Sequence, residues 1–450
     1  MKKYPKMKDS GIKWIEEIPE EWNMKKLSML TQNGRSITYG IVQAGEDFPN
    51  GVRYIRPVDM TNENGIKKNK ELLRTDPVIA KKYERSTILS GDIVISIGPS
   101  FGKLMIVSEK HSGCNLTQGT ARIAINKENF NHYIFWFLNS YFSKQQWVVS
   151  IAGATFSSLN LNQLSNTRIF VPSLEEQKQI GEFLNNKIRK IDLDIQKNQK
   201  LIKLLEEKRL NIIYQSITKG LVPSVKMKES GIEWVEKIPE HWNVIPFKFL
   251  LIQRMDNGVF KKKNEFGEGI KLVNVVDIYQ KDGIVNQEKL ELVKVDENEL
   301  VKYSVMENDI FFVRSSLKLE GIGVSSIVKN IKEPIVFECH IIRTRSDIQK
   351  IEPMYLKYLL NSSKFRDHLI SLSQTVTMTT ISQDHIKNLK IIIPSKSEQK
   401  RIVEHIEIKN NHIERLILKL QLQIKKIQES RQSLITSVIT GKIDVREAIV

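Results

Sequence analysis

Gly98-Pro99-Ser100-Phe101-Gly102 fits G-x-S-x-G, the pattern that lifts a serine nucleophile on a sharp turn from strand to helix. Here the stretch runs into Lys103 to Val107, which reads as another strand, so a glycine-rich hairpin accounts for it. It makes no phosphate loop either, because three residues separate Gly98 from Gly102-Lys103 and Leu104 stands where a magnesium-binding hydroxyl is needed. His405 and His412 are two helical turns apart, too far for one zinc ion. Glu206-Glu207-Lys208 reads as a solvated helix face rather than a nuclease site, and no glycine-rich dinucleotide fingerprint is visible. Cys114 and Cys339, one in each half, form neither a disulfide framework nor a cysteine-rich zinc site and read as reduced, buried thiols. No catalytic constellation emerges, and no metal or cofactor is expected on this chain.

Charge points instead to recognition. The 450 residues carry a formal charge of +17 with 40% hydrophobic residues, which suits globular domains facing an acidic polymer or surface, nucleic acid foremost. No stretch approaches the roughly eighteen apolar residues of a membrane span, and the start MKKYPKMKDSG lacks the apolar core of a signal peptide. A soluble, cytoplasmic chain of about two to four domains is expected, with no membrane partner.

The elements that must carry such a surface are written twice. MKDSGIKWIEEIPEEWN at 7–23 returns as MKESGIEWVEKIPEHWN at 227–243, an offset of 220. Trp14, Ile18, Pro19 and Trp22, matched by Trp234, Ile238, Pro239 and Trp242, predict a structural clamp at a domain entrance rather than a base-stacking platform. A heptad stripe, Leu184, Ile188, Ile191, Ile195, Asn198, Ile202, Leu205, Arg209, Ile212 and Ser216, predicts a helix from about Glu176 to Ile217. Adding 222 to each number gives Ile406, Asn410, Ile413, Ile417, Leu420, Ile424, Ile427, Arg431, Leu434 and Val438. Antiparallel pairing with ends aligned sets Ile191 opposite Arg431. Between clamp and helix lies a module with short β-like runs: Arg53 to Arg56, Asp92 to Ile97 and Ala121 to Ile125, then Ile270 to Val276, Asp309 to Val313 and Ile335 to Arg343. Each module closes on proline and Glu-Gln, at Pro172 with Glu176-Gln177 and Pro394 with Glu398-Gln399.

The doubled W-x3-IP-x2-W clamp, the P-x3-EQ helix entry and the closing Ile439-Thr440-Gly441-Lys442-Ile443-Asp444-Val445 together resemble the specificity (S) subunits of type I restriction-modification systems, over essentially the whole chain. The resemblance implies an α+β fold. Two globular, mixed α/β target-recognition domains, 1–172 and 223–394, are separated by two long antiparallel helices forming a coiled coil, 173–222 and 395–450 with the tail, under an internal pseudo-two-fold repeat. It implies double-stranded DNA as ligand, each domain reading one half of a split target. It further implies a non-catalytic subunit docking two methyltransferase (modification) subunits that use S-adenosylmethionine, and restriction/translocase subunits that use ATP and Mg2+. The chain itself would bind none of these cofactors. With helices of about 60 Å as a ruler, the half-sites would be centred about 10 bp apart.

Affinity is then expected from phosphate contacts and sequence choice from base edges. Arg or Lys suits guanine, Asn or Gln suits adenine, and Ser or Thr is permissive. The candidates are Arg35, Tyr39, Arg53, Arg56, Ser100, Lys103 and Gln118 in the first module. In the second they are Arg254, Lys261, Lys262, Lys263, Arg314, Ser315, Lys318 and Thr377. Singly, each such residue is more often solvated or phosphate-facing than a base reader, and Lys261 to Lys263 especially resemble a phosphate contact. Two other readings stay open: a non-catalytic coiled-coil scaffold binding RNA or an acidic protein through its basic surface, and an enzyme with an unrecognised site.

Overall fold

A computed structural model of the chain describes residues 2–12, 15–61, 64–67, 71–151, 158–375 and 379–448. It divides into two compact units, Met1–Gln199 with Gln421–Val450, and Lys200–Leu420. Each long helix contributes residues to both units.

In the first unit an antiparallel sheet runs Thr38–Tyr39, Thr120–Ile123, Ile93–Ser96, Leu104–Ile106. The strand Ile93–Ser96 is buried at every position. The reason is that both its faces are covered: Ile93 and Ile95 join a core with Tyr133, Phe137 and Phe170, while Val94 points into a smaller core with Ile55, Met60, Met105 and Leu116. Side chains alternate along a strand, so one sandwiched between two cores requires an unbroken apolar run. Beside it, Val52–Ile55 pairs antiparallel with Arg74–Thr75 and parallel with Asn115–Leu116. Helices Asn131–Asn139 and Tyr141–Ile151 line the larger core.

The second unit repeats the strand order of both sheets. Its sheet runs Asp256–Asn257, Ile341–Thr344, Ile310–Val313, Ser325–Ile327, and a second sheet runs Glu291–Val293, Phe266–Val273, Ile335–Phe337 with the same single parallel pair. Ile310 and Phe312 face one core, Phe311 and Val313 the other. Two expectations are corrected. The run Ile335 to Arg343 is two strands, broken by a turn at residues 338–340. The run Ile270 to Val276 stops at Val273, where the Asp277 carboxylate accepts from the Asn274 N–H (2.8 Å) and starts the short helix Val275–Ile278.

The long helices are Leu174–Lys219 and Lys396–Ile439. Every expected stripe position is buried or partly buried. Ser173 and Ser395 hydroxyls accept from the Glu176 and Glu398 N–H groups, each at 3.3 Å, and so cap the two starts. The Glu-Gln pair does the fastening. Gln177 accepts from the Phe130 N–H (2.9 Å) and donates to the Pro172 carbonyl (3.0 Å); Gln399 accepts from the Glu352 N–H (2.6 Å) and donates to the Pro394 carbonyl (2.9 Å). Trp22 Nε1 donates to Glu176 at 3.2 Å, beside the Tyr4 hydroxyl at 2.6 Å.

The clamp touches the far end of the other helix as well. Gly441, with φ +71°, lies so close to Pro19 that a Cβ there would overlap the ring, and Gly220, with φ +73°, lies against Trp242. Within the first unit, Ile180, Leu184 and Ile188 share a core with Ile435, Val438 and Ile439; within the second, Ile217 shares one with Ile402 and Ile406. The start of each helix therefore packs with the end of the other, the antiparallel arrangement expected. Arg431 pairs with Asp192, next to Ile191. Trp14 of the expected clamp lies outside the described residues.

Candidate nucleic-acid interface

In the first unit the two sheets meet at one set of loops. The Leu116 carbonyl accepts from the Ile41 N–H (2.7 Å), and Gly40 sits where any Cβ would overlap that carbonyl. The Gln118 N–H then returns to the Ile41 carbonyl (2.8 Å), the Ile97 N–H to the Gly119 carbonyl (2.8 Å), and Lys103 Nζ donates to the Pro57 carbonyl (3.1 Å). This gathers Tyr39, Arg56, Ser100, Lys103 and Gln118 around residues 40–41, 57, 98–103 and 117–119. Ser100 and Gln118 are exposed, as is Arg53 on the neighbouring strand. Gly98 to Gly102 is the hairpin expected, joining Ile93–Ser96 to Leu104–Ile106 with Gly102 at φ +90°.

Two of the expected contacts in this unit are held by carboxylates. Arg56 grips Asp59 through Nε and Nη2, both at 3.0 Å, which pushes its guanidinium pKa up. Arg35 grips Asp92 at 2.9 and 2.7 Å, with little exposure. A fork already satisfied by a carboxylate offers little to a guanine edge.

The second unit builds the same junction with different side chains. The Val259 N–H bonds the Phe337 carbonyl (2.8 Å), Gly258 sits where a Cβ would overlap that carbonyl, and the Arg314 N–H bonds the His340 carbonyl (2.8 Å). Thr117, Gln118 and Gly119 of the first unit thus correspond to Glu338, Cys339 and His340. The Ser315 hydroxyl meets His340 Nδ1 at 3.2 Å. Arg254, Lys262, Lys263, Arg314 and Lys318 are exposed. Lys261 is a correction: its ammonium lies between Glu265 (3.2 Å) and Glu299 (2.6 Å), 7% exposed, because it closes the turn that carries its two lysine neighbours. Thr377 lies outside the described residues. A small sheet of Ser315–Ser316, Thr379–Thr380 and Gln374–Thr375 borders the loop.

Sequence reading missed Glu338, Cys339 and His340. Gly40-Ile41 and Gly258-Val259 mark the same backbone approach, but their offset of 218 would set Gln118 opposite Val336; only the backbone hydrogen bonds, three residues further on, identify the triplet as its counterpart. Glu338, Cys339 and His340 bring their ligating atoms within 4.8 Å of one another and are the residues among those described that could hold a metal ion. Burial pushes both thiols up, with the Glu338 carboxylate adding to the effect at Cys339, which is half-buried rather than buried as expected; Cys114 is buried, and both are free. Among the described residues no helix is long and apolar enough to cross a membrane.

The family described as type I restriction modification DNA specificity domain matches residues 19–203 and 249–436. The specificity subunit of type I restriction enzyme StySPI from Salmonella potsdam is 25% identical over 437 residues, covering 95% of this chain and 90% of its own length. That of EcoKI from Escherichia coli K12 is 23% identical over 440 residues, with the same coverage. A chain from a study of complex assembly and conformational transition of the type I R-M system superposes with TM-score 0.70 at 15% identity, covering 95% of this chain and 99% of that one. The HsdS subunit from Thermoanaerobacter tengcongensis superposes with TM-score 0.52 at 15% identity, covering 95% and 98%.

Proposed function

The chain belongs to the type I restriction modification DNA specificity family, and from that premise we propose that its two units each read one half of a split duplex target. As a specificity subunit it binds DNA, assembles with the other restriction-modification subunits and is not itself an enzyme. Nothing in the likenesses supports the scaffold alternative.

The observation that carries the two-part reading is the paired junction. One backbone plan holds Thr117-Gln118-Gly119 in the first unit and Glu338-Cys339-His340 in the second. A constant frame with different side chains at its tip is what two different half-sites require, since base edges are told apart by donor and acceptor placement. Gln118 suits adenine, and Arg314 beside His340 suits guanine; Arg53, Lys262, Lys263 and Lys318 supply phosphate contacts. The duplicated helices and clamps duplicate any docking surface, so two methyltransferase subunits bind one such chain, with restriction subunits joining them. S-adenosylmethionine, ATP and Mg2+ belong to those partners.

Binding to duplex DNA measured against salt tests the reading, and a slope near zero sinks it. Sequencing of modified bases in a host genome expressing the complex should then reveal a bipartite methylated motif. Exchanging residues 338–340 for Thr-Gln-Gly should change one half of it and leave the other.

A further inference from the structure

We propose that the first unit holds a phosphate-class oxyanion in a cavity beside Tyr39, using Arg122 as its charge. The cavity, about 800 Å³, is lined by Ser36, Thr38, Tyr39, Arg85, Thr87 and Arg122 among others. Arg122 is 4% exposed. Its Nη2 and Nη1 reach only backbone carbonyls, Ser36 at 3.0 Å and Thr87 at 3.5 Å, and its Nε has no partner among the described residues. A buried guanidinium with no carboxylate in hydrogen-bonding contact is costly. Burial accordingly pulls the Arg122 pKa down, with Arg35 adding to the effect and Asp92 opposing it.

The second unit is the internal control. Arg343 pairs with Asp256 in the register at which Arg122 pairs with Thr38. There the guanidinium has a carboxylate, Nη2 to Asp256 at 2.9 Å, while Asp309 separately grips Arg345 at 2.7 Å through both Nε and Nη2. Two arginines meet two aspartates. In the first unit the aspartate matching Asp309 is Asp92, taken by Arg35, and the place of Asp256 is held by Thr38, so two arginines share one carboxylate. Arg343 Nε is also unpaired, so the missing carboxylate is what separates the two units. Arg85 adds a third cation at the exposed rim; Glu84 beside it makes no ion pair among the described residues. A bound oxyanion would supply the missing charge, and the same chemistry can come from a DNA backbone phosphate or a free phosphate.

Isothermal titration of the full chain with inorganic phosphate, at ionic strength matched with chloride, is expected to give one site. Thr38→Asp transplants the second unit's carboxylate and should weaken phosphate by roughly tenfold or more, since a charge at that range in a protein interior outweighs the 1.4 kcal/mol that tenfold represents. Arg85→Gln, on the surface, should weaken it less and decides the matter if Thr38→Asp fails to fold. Release of bound phosphate on adding duplex DNA identifies the backbone as its natural source; retention identifies a free phosphate. Only that arm rests on the DNA-reading function. No phosphate binding by the natural chain, or equal binding by the variants, overturns the inference even where DNA binding is intact.

Discussion

Asp192 and Arg431 tie the two long helices together, Nε to Oδ1 at 2.8 Å and Nη2 to Oδ2 at 3.3 Å, with the guanidinium also 5.9 Å from the Trp136 ring centre. Both side chains are mostly shielded, 22% and 16% exposed. Breaking the pair from one side should therefore cost more than at a free surface: about 1–3 kcal/mol for Asp192→Ala in urea unfolding. A double-mutant cycle with Arg431→Ala should show coupling, and strict additivity would mean the pair does not hold the helices.

Gly441→Ala should be distinctly worse than Gly11→Ala. Both glycines have positive φ, +71° and +69°, but a Cβ at Gly441 overlaps Pro19 whereas Gly11 faces open space. Backbone strain alone costs on the order of 1 kcal/mol, and displacing the clamp adds the loss of packing around Trp22. Equal melting temperatures for the two variants would show that the clamp yields freely.

The first unit should lose stability as pH falls below about 6.5, the ordinary histidine value. Burial pushes the His132 imidazole below that value. Trp136 Nε1 can only donate, so it fixes the Asn185 oxygen (2.8 Å) and leaves the Asn185 amide to donate to His132 Nδ1 (3.0 Å), which must be unprotonated. With the folded pKa depressed, the unfolded chain takes the proton first, so stability is full above the unfolded value and declines as pH drops toward the folded one. His132→Gln should flatten this slope in thermal melts at successive pH values.

The lysines of the Lys261–Lys263 run should divide by role. Lys263→Ala should weaken DNA binding uniformly across sequences and lower the salt slope by about 1. Lys261→Ala should instead lower the stability of the second unit, because Glu265 and Glu299 lose their shared cation. Binding isotherms at several salt concentrations, alongside unfolding curves, separate the two. Gln118→Ala should relax choice at one base pair, a discrimination of about 1–3 kcal/mol, without changing the slope.

The sequence alone determined the periodic and the repeated. The heptad stripe, the doubled clamp and the sandwiched apolar strands each follow from one local rule, and their repetition announced two matching helices whose antiparallel pairing the family resemblance implied. Even the role of Glu176 and Glu398 at the helix starts was legible as first-turn chemistry. Only the tertiary structure decided which charges are free. Arg35, Arg56 and Lys261 look like their exposed neighbours in composition, yet each meets a carboxylate brought by the fold, from as far away as Asp92 and Glu299 or as near as Asp59. Arg122 is the converse, a cation whose expected partner is a threonine. An ion pair depends on distances of a few ångströms between residues far apart in the chain, and no spacing rule in a single sequence records those.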